Sequence, residues 1–237
     1  MLVAAGAALF AAGGIVSYGA MSPTSQLFGE TVAHVAKDRI ALTFDDGPNG
    51  DTTLRLLDVL AAAGVRATFF LIGRYVRQQS EIARAIHAAG HAIGNHTDTH
   101  PSLFWCSPKR VERELTSALH SIEDAIGAQV TIFRPPFGAR RPDVLQTARS
   151  LGLAPILWNV TCYDWKPTTP ERVLAHAERQ MRGNAAHDRG SILLLHDGGH
   201  VAPHADRAHT IAAVKRMVAQ HTAAEFVTLA STSAATR

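Results

Sequence analysis

Asp38–Pro48 reads DRIALTFDDGP: an apolar run, Ile40–Phe44, closes on two adjacent carboxylates, Asp45 and Asp46, and then on Gly47-Pro48. A short run of apolar, β-branched and aromatic residues bounded by Asp, Gly and Pro is the pattern of a buried strand ending in a turn. A plain turn is the modest reading of Asp45-Asp46-Gly47-Pro48. The richer one is a strand end that presents acids to a crevice.

Outward from this stretch the same unit recurs. Strand-like runs stand at Arg39–Phe44, Ala67–Ile72, His91–Asn95, Thr131–Arg134, Ala154–Val160, Ser191–Leu195 and Glu225–Leu229. The helices between them are punctuated: Asp51 caps one that stops at Gly64, Ser80 one that stops at Gly90, and Ser107-Pro108 one that stops at Gly127. Later helices begin near Pro142 and at Thr169-Pro170. Regular alternation of strand and helix predicts βα units on a parallel sheet, hence a single seven-stranded α/β barrel or open sheet. No repeat or low-complexity linker divides it. The polar residues Asp45, Asp46, His96, His100, Arg134, Asp164 and His196 all fall just past strand C-termini, the edge where such folds gather one site.

Composition sets the outer limits. The chain has 237 residues, 46% hydrophobic and 18% charged, enough to bury one full core and too apolar for a disordered, collagen-like or disulfide-scaffold protein. Its net charge of +3 is scattered, with no Lys/Arg run longer than the pairs Lys109–Arg110 and Arg140–Arg141, which argues against a nucleic-acid partner. Residues 1–29 carry no charge. They read as a secretory signal, an uncleaved membrane anchor or a buried helix. Cleavage after Gly19 meets the small-residue rule, although no Lys or Arg precedes Lys37. The expectation is an exported monomer touching membrane only through residues 1–29, with its catalytic domain over 37–232. Cys106 and Cys162 form one disulfide or remain two free thiols.

His96 and His100 stand at i, i+4, a spacing that sets two imidazoles on one face of a helical turn. Two histidines and one carboxylate leave a Zn²⁺-like ion a position for water, the catalytic rather than the structural arrangement. Adjacent aspartates on an extended strand point opposite ways, so one can bind metal while the other acts as base. His200 and His204 repeat the spacing after His196, but Gly198, Gly199 and Pro203 point to a solvated loop. Arg134-Pro135-Pro136-Phe137-Gly138 puts a fixed cation on a stiff loop. There the Phe137 amide is the next free donor for an oxyanion, and Arg134 is either an aspartate's partner or a structural cap. His196 is a general acid opposite the metal, or a satisfied core residue. Asp164 and Trp165 orient it and pack a sugar's apolar face, or merely pack.

These residues carry a resemblance. TFDDGP at Thr43–Pro48, HTDTH at His96–His100, RPPFG at Arg134–Gly138, YDW at Tyr163–Trp165 and LLLHDG at Leu193–Gly198 resemble, in order, the motifs of carbohydrate esterase family 4 polysaccharide deacetylases. The resemblance covers about Arg39 to Leu229. It implies a distorted (β/α)7 barrel, a divalent metal (Zn²⁺ first, Co²⁺ or similar second) and hydrolysis of N-acetyl groups from GlcNAc polymers of the peptidoglycan or chitin type. By position, Asp45 is then the base, Asp46, His96 and His100 the metal ligands, and Arg134 the residue orienting Asp45. Phe137 supplies an oxyanion amide and His196 the acid. Pro136, Trp165 and Leu193 are expected to contact substrate. Two positions depart from the family pattern: Phe137 stands where many relatives have Tyr, and Thr161 where many have the Asp that tunes the acid, a role Asp164 can take. The motifs fit an O-acetyl esterase acting on xylan equally well. They fit a silent glycan-binding barrel less well, since a binder needs neither base nor acid.

Overall fold

The computed structural model describes residues 14, 16–202 and 204–229. Its strands are β1 (Ile40–Gly47), β2 (Thr68–Leu71), β3 (Ala92–Asn95), β4 (Ile132–Phe133), β5 (Ala154–Pro155), β6 (Val160–Thr161) and β7 (Ser191–His196). All pair in parallel in the order β5-β4-β3-β2-β1-β7-β6, so the long strand β1 sits between β2 and β7. The edges β5 and β6 are consecutive in the chain, and the curled sheet remains unpaired between them. This is the expected seven-stranded α/β barrel, left open at one seam.

Two expected strands changed. Ala154–Val160 is not one strand but the two edge pieces β5 and β6, separated by Ile156–Asn159; Pro155 has no N–H to extend a ladder. Glu225–Leu229 is not a strand either. Thr222 and Glu225 form a reciprocal capping box around a 3-10 turn at Ala223–Glu225, which leaves only a single bridge, Phe226 to Ile40.

Strand alternation sorts the core into two layers. Leu42, Phe44, Phe69, Leu71, Leu193 and Leu195 pack against helix residues such as Leu56, Leu60, Val111 and Val214. Ala41, Phe70, Ile132, Ile192 and Leu194 point the other way, into the barrel, with Leu157 and Trp158. Each such large side chain removed from water contributes roughly 1.5–3 kcal/mol before entropy is counted.

The helices that cover the sheet are α1 (Gly50–Ala62), α2 (Gly73–Gln78), α3 (Ser80–Ala88), α4 (Pro108–Ile126), α5 (Pro142–Ser150), α6 (Pro170–Ala185) and α7 (Ala208–Gln220). Ser107 caps α4, its hydroxyl accepting from the Arg110 N–H at 3.4 Å, and α4 ends on Gly127 at φ 66°, a left-handed conformation that suits glycine. Thr169 caps α6 in the same way. The first helix starts earlier than expected: Asn49 holds the cap position and Asp51 lies in the first turn. Gln79, rather than Ser80, precedes α3.

Arg140 is 1% exposed and grips the N-terminal segment: its guanidinium donates to the carbonyls of Ala20 (3.3 Å), Ser22 (2.7 Å) and Ser25 (2.8 Å). Packing on the barrel therefore begins before residue 29. Residues 1–13 lie outside the described residues. No helix among the described residues is long and apolar enough to cross a membrane. Cys106 and Cys162 are both buried free thiols.

Candidate active site

β1 carries two carboxylates into one pocket because its end is irregular. The pairing runs Asp45 to Phe70 and then Gly47 to Leu71, skipping Asp46, whose φ is 72°. A bulge of this kind re-aims a side chain. The alternation expected to send Asp45 and Asp46 apart is broken, and both line a cavity of about 500 Å³ at the strand ends. Gly198 holds the bulge from the other side; a Cβ there would strike the Asp46 carbonyl.

The two histidines after β3 meet without a helix. Asn95 Oδ1 accepts from the Thr97 N–H at 2.8 Å, Thr97 Oγ1 accepts from the His100 N–H at 3.0 Å, and Thr97 and His100 take φ of 66° and 59°. This side-chain-bonded turn brings the rings to 4.9 Å between centroids. The i, i+4 spacing thus correctly paired the residues, but a local turn supplies the geometry.

His96 Nδ1 is 2.8 Å from the Arg134 carbonyl, an arrangement that turns Nε2 toward the acids, 3.6 Å from Asp46 Oδ1 and 3.7 Å from Asp45 Oδ2. Burial holds the His96 pKa down to about 4 against the pull of Asp45, so the ring is neutral at pH 7 with a lone pair to give. His100 Nε2 is 3.1 Å from Asp46 Oδ1. Burial works against charge on Asp46, yet the neighbouring imidazoles of His100 and His200 and the charge of His196 hold it well below the usual carboxylate range.

Asp46 Oδ1 is buried with no hydrogen-bond partner, while imidazole nitrogens converge on it. An orphaned carboxylate oxygen among imidazole nitrogens fits a divalent ion with mixed N/O preference. Among the described residues, Asp46, His100 and His200 bring three donor atoms within 4.8 Å of one another. His200 is the residue the sequence reading missed. It stacks on His100 at 4.4 Å and 19°, its Nδ1 lying 3.6 Å from Asp46 Oδ2. The glycines that argued for a solvated loop are what let the segment fold back over the cluster.

Arg134 is fully buried beneath this floor. It donates to Asp45 Oδ1 (2.8 Å), Thr43 Oγ1 (2.7 Å) and the Leu157 carbonyl (3.0 Å), with its guanidinium 4.1 Å above the Phe70 ring. It is an aspartate's partner rather than a turn cap. After it the chain turns through Gly138 N–H to the Pro135 carbonyl and Ala139 N–H to the Pro136 carbonyl, a turn that leaves the Phe137 N–H unused. The Phe137 ring lies 4.7 Å from His100 and 5.3 Å from His200.

On the strand beside β1, His196 ends β7 as the register partner of Asp45. Its Nδ1 is 2.8 Å from Asp164 Oδ1, and its N–H donates to Asp164 Oδ2 at 2.8 Å. Thr210 Oγ1 donates to that same oxygen at 2.9 Å. Thr161 instead accepts the Trp158 indole N–H at 3.0 Å and does not touch His196. Burial would lower the His196 pKa, but Asp164 overrides it, helped by Asp46 and Asp45, and lifts it to about 9. Trp165 stands edge-on to His196 at 5.3 Å and, with Trp158, walls the pocket. Two expected substrate contacts fall elsewhere: Leu193 is in the helix-side core, leaving Leu194 to line the cavity, and Pro136 is buried behind Phe137. A one-residue step along a strand exchanges faces, which explains the first miss.

The family model for polysaccharide deacetylase matches residues 33–156, a stretch that holds Asp45, Asp46, His96, His100 and Arg134. The chain belongs to the polysaccharide deacetylase family. A chitooligosaccharide deacetylase from Bradyrhizobium is 41% identical over 160 residues, 67% of this chain and 70% of that one. The solved Bc1960 peptidoglycan N-acetylglucosamine deacetylase superposes with a TM-score of 0.76 at 27% identity, covering 88% of this chain and 95% of that one. The BA3943 CE4 family pseudoenzyme from Bacillus anthracis superposes with a TM-score of 0.70 at 29% identity, over 80% of this chain; the chain spans 62% of that one. Fold alone therefore does not separate active from silent members. Kinship with named deacetylases over most of the chain makes this protein an enzyme of the family, a polysaccharide deacetylase.

Proposed function

We propose that the chain hydrolyses N-acetyl groups on GlcNAc-containing polysaccharide, consuming water and yielding acetate and a free amine. The observation that carries this reading is the meeting of two sets in one cavity: Asp45 with its buried Arg134 beside the Asp46–His96–His100 cluster, and, on the adjacent strand, His196 with Asp164. Asp46, His96 and His100, joined by His200, would hold a divalent metal, best Zn²⁺. When bound, it would polarise the acetyl carbonyl and make water more acidic.

The remaining chemistry belongs to side chains of this chain. Asp45, fixed by Arg134 at one oxygen, takes the proton of the attacking water on the other. The Phe137 N–H, free of its own turn, is the donor for the developing oxyanion; removing such a donor typically costs ~10²–10³ in rate. His196, protonated up to about pH 9, gives its proton to the departing nitrogen as the C–N bond breaks. Trp165 and Trp158 offer flat apolar faces to a sugar ring.

Acetate release from GlcNAc oligomers and from peptidoglycan, with acetylxylan as the ester control, tests the reading. Chelation should abolish release and Zn²⁺ or Co²⁺ restore it; release indifferent to chelator would refute the metal role. The uncharged stretch 1–29 supports the further proposal that the protein is exported, where such polymers lie.

A further inference from the structure

A second concavity of about 450 Å³ opens beside the catalytic one, between the loop after β6 and the exposed face of α6. Lys166, Arg172, His176 and Arg179 line it, and no carboxylate does. Arg172, His176 and Arg179 stand at i, i+4 and i+7, so one face of α6 presents all three. The two acids of that helix are engaged elsewhere: Glu171 pairs with Arg216 at 2.5 Å and Glu178 with Arg182 at 3.8 Å. Among the described residues, Lys166, Arg172 and Arg179 make no ion pair.

The groove continues the active-site wall. Trp165, which flanks His196, is 5.4 Å from Tyr163, and Tyr163 is 5.1 Å from His176 and carries Lys166 Nζ 5.2 Å above its ring. Tyr163 sits at φ 57°, a left-handed conformation unusual for a bulky residue, which sets it 38% exposed at the junction of the two cavities. From His196 to the basic groove is thus two ring-to-ring steps, 5.3 Å and 5.4 Å, the reach of a neighbouring sugar on the same polymer.

We propose that this groove receives a carboxylate carried by the polysaccharide next to the unit being deacetylated, so that the preferred substrate is an acidic glycan rather than a neutral GlcNAc oligomer. The inference rests on the deacetylase reading above. Unpaired cations with no acid among them select a negative group, and their exposure makes that selection salt-sensitive. Aromatic rings between groove and acid keep the sugars seated, so the charge acts on substrate binding and not on bond cleavage.

The experiment compares acetate release from three substrates: chitotetraose, a muramic-acid-containing peptidoglycan glycan, and that glycan with its carboxylates amidated. The enzyme is the full chain, wild type and Arg172→Ala/Arg179→Ala. The double variant should raise KM about tenfold on the carboxylated glycan at nearly unchanged kcat, and leave chitotetraose turnover unaltered. Amidation, or added salt, should bring the same loss to the wild type. Equal effects of the variant on charged and neutral substrates, or indifference to amidation, would overturn the inference while leaving the deacetylase reading standing. No acetate from any of the three would overturn both.

Discussion

Asp164 Oδ1 and His196 Nδ1 lie 2.8 Å apart, and the same carboxylate also takes the His196 backbone N–H. One residue therefore fixes the ring's position, its tautomer and its charge. In Asp164→Asn the fold of this corner survives through the remaining amide contacts, but the chief influence raising the His196 pKa from 6.5 to about 9 is gone and burial pulls it down. The alkaline limb of kcat/KM should move to lower pH by at least one unit. An unmoved limb would show that another group supplies the proton.

Asp45 and His100 should separate by metal content. Asp45→Asn keeps the imidazoles and Asp46, so bound metal measured by elemental analysis stays near wild type while turnover falls ~10²–10⁴-fold. His100→Ala removes the nitrogen 3.1 Å from Asp46 Oδ1 and should lose both metal and turnover. Wild-type acetate release from Asp45→Asn would end its assignment as base.

His200 and His204 were equivalent in the sequence; the fold distinguishes them. His200→Ala should weaken Zn²⁺ affinity about tenfold in a chelator competition, because its ring stacks on His100 and faces Asp46. His204→Ala should not change it. Identical affinities for the two variants would return His200 to the solvated loop.

His91 governs acid stability away from the site. Its Nδ1 accepts the Ala67 N–H at 3.0 Å, and burial, aided by the Arg66 charge, holds its pKa down to about 4. Because the unfolded chain takes up this proton first, near pH 6.5, the neutral ring stabilises the fold fully above that pH. The contribution, up to about 3 kcal/mol, is lost as pH falls toward 4. His91→Asn, which keeps an acceptor without titrating, should flatten the fall of Tm between pH 6.5 and 4.5. A slope equal to wild type would locate that acid sensitivity elsewhere.

Much of this site was legible because βα alternation sends reactive residues to one sheet edge, and motif order then says which strand brings each. What escaped was decided by backbone irregularity. Asp46 faces the same way as Asp45 only through a bulge, which period-two reasoning does not foresee. His96 and His100 converge through Thr97 in a left-handed turn, not along a helix. Leu193 and Leu194 exchanged roles because face assignment needs the register. Glu225–Leu229 lost its strand to the capping box of Thr222 and Glu225. His200 was discounted because Gly198, Gly199 and Pro203 spoil a helix and point to a solvated loop, though glycine also suits a tight return over the acids and imidazoles.

Arg140 ties the N-terminal segment to the barrel through its carbonyls. Its acceptors on that segment are the carbonyls of Ala20, Ser22 and Ser25, all of which would remain on a chain cut after Gly19. A chain cut there would begin at Ala20, a buried residue whose carbonyl Arg140 holds. A chain cut beyond Ser25 would instead leave that buried guanidinium with only the Gly138 carbonyl, at 2.9 Å, to receive its protons.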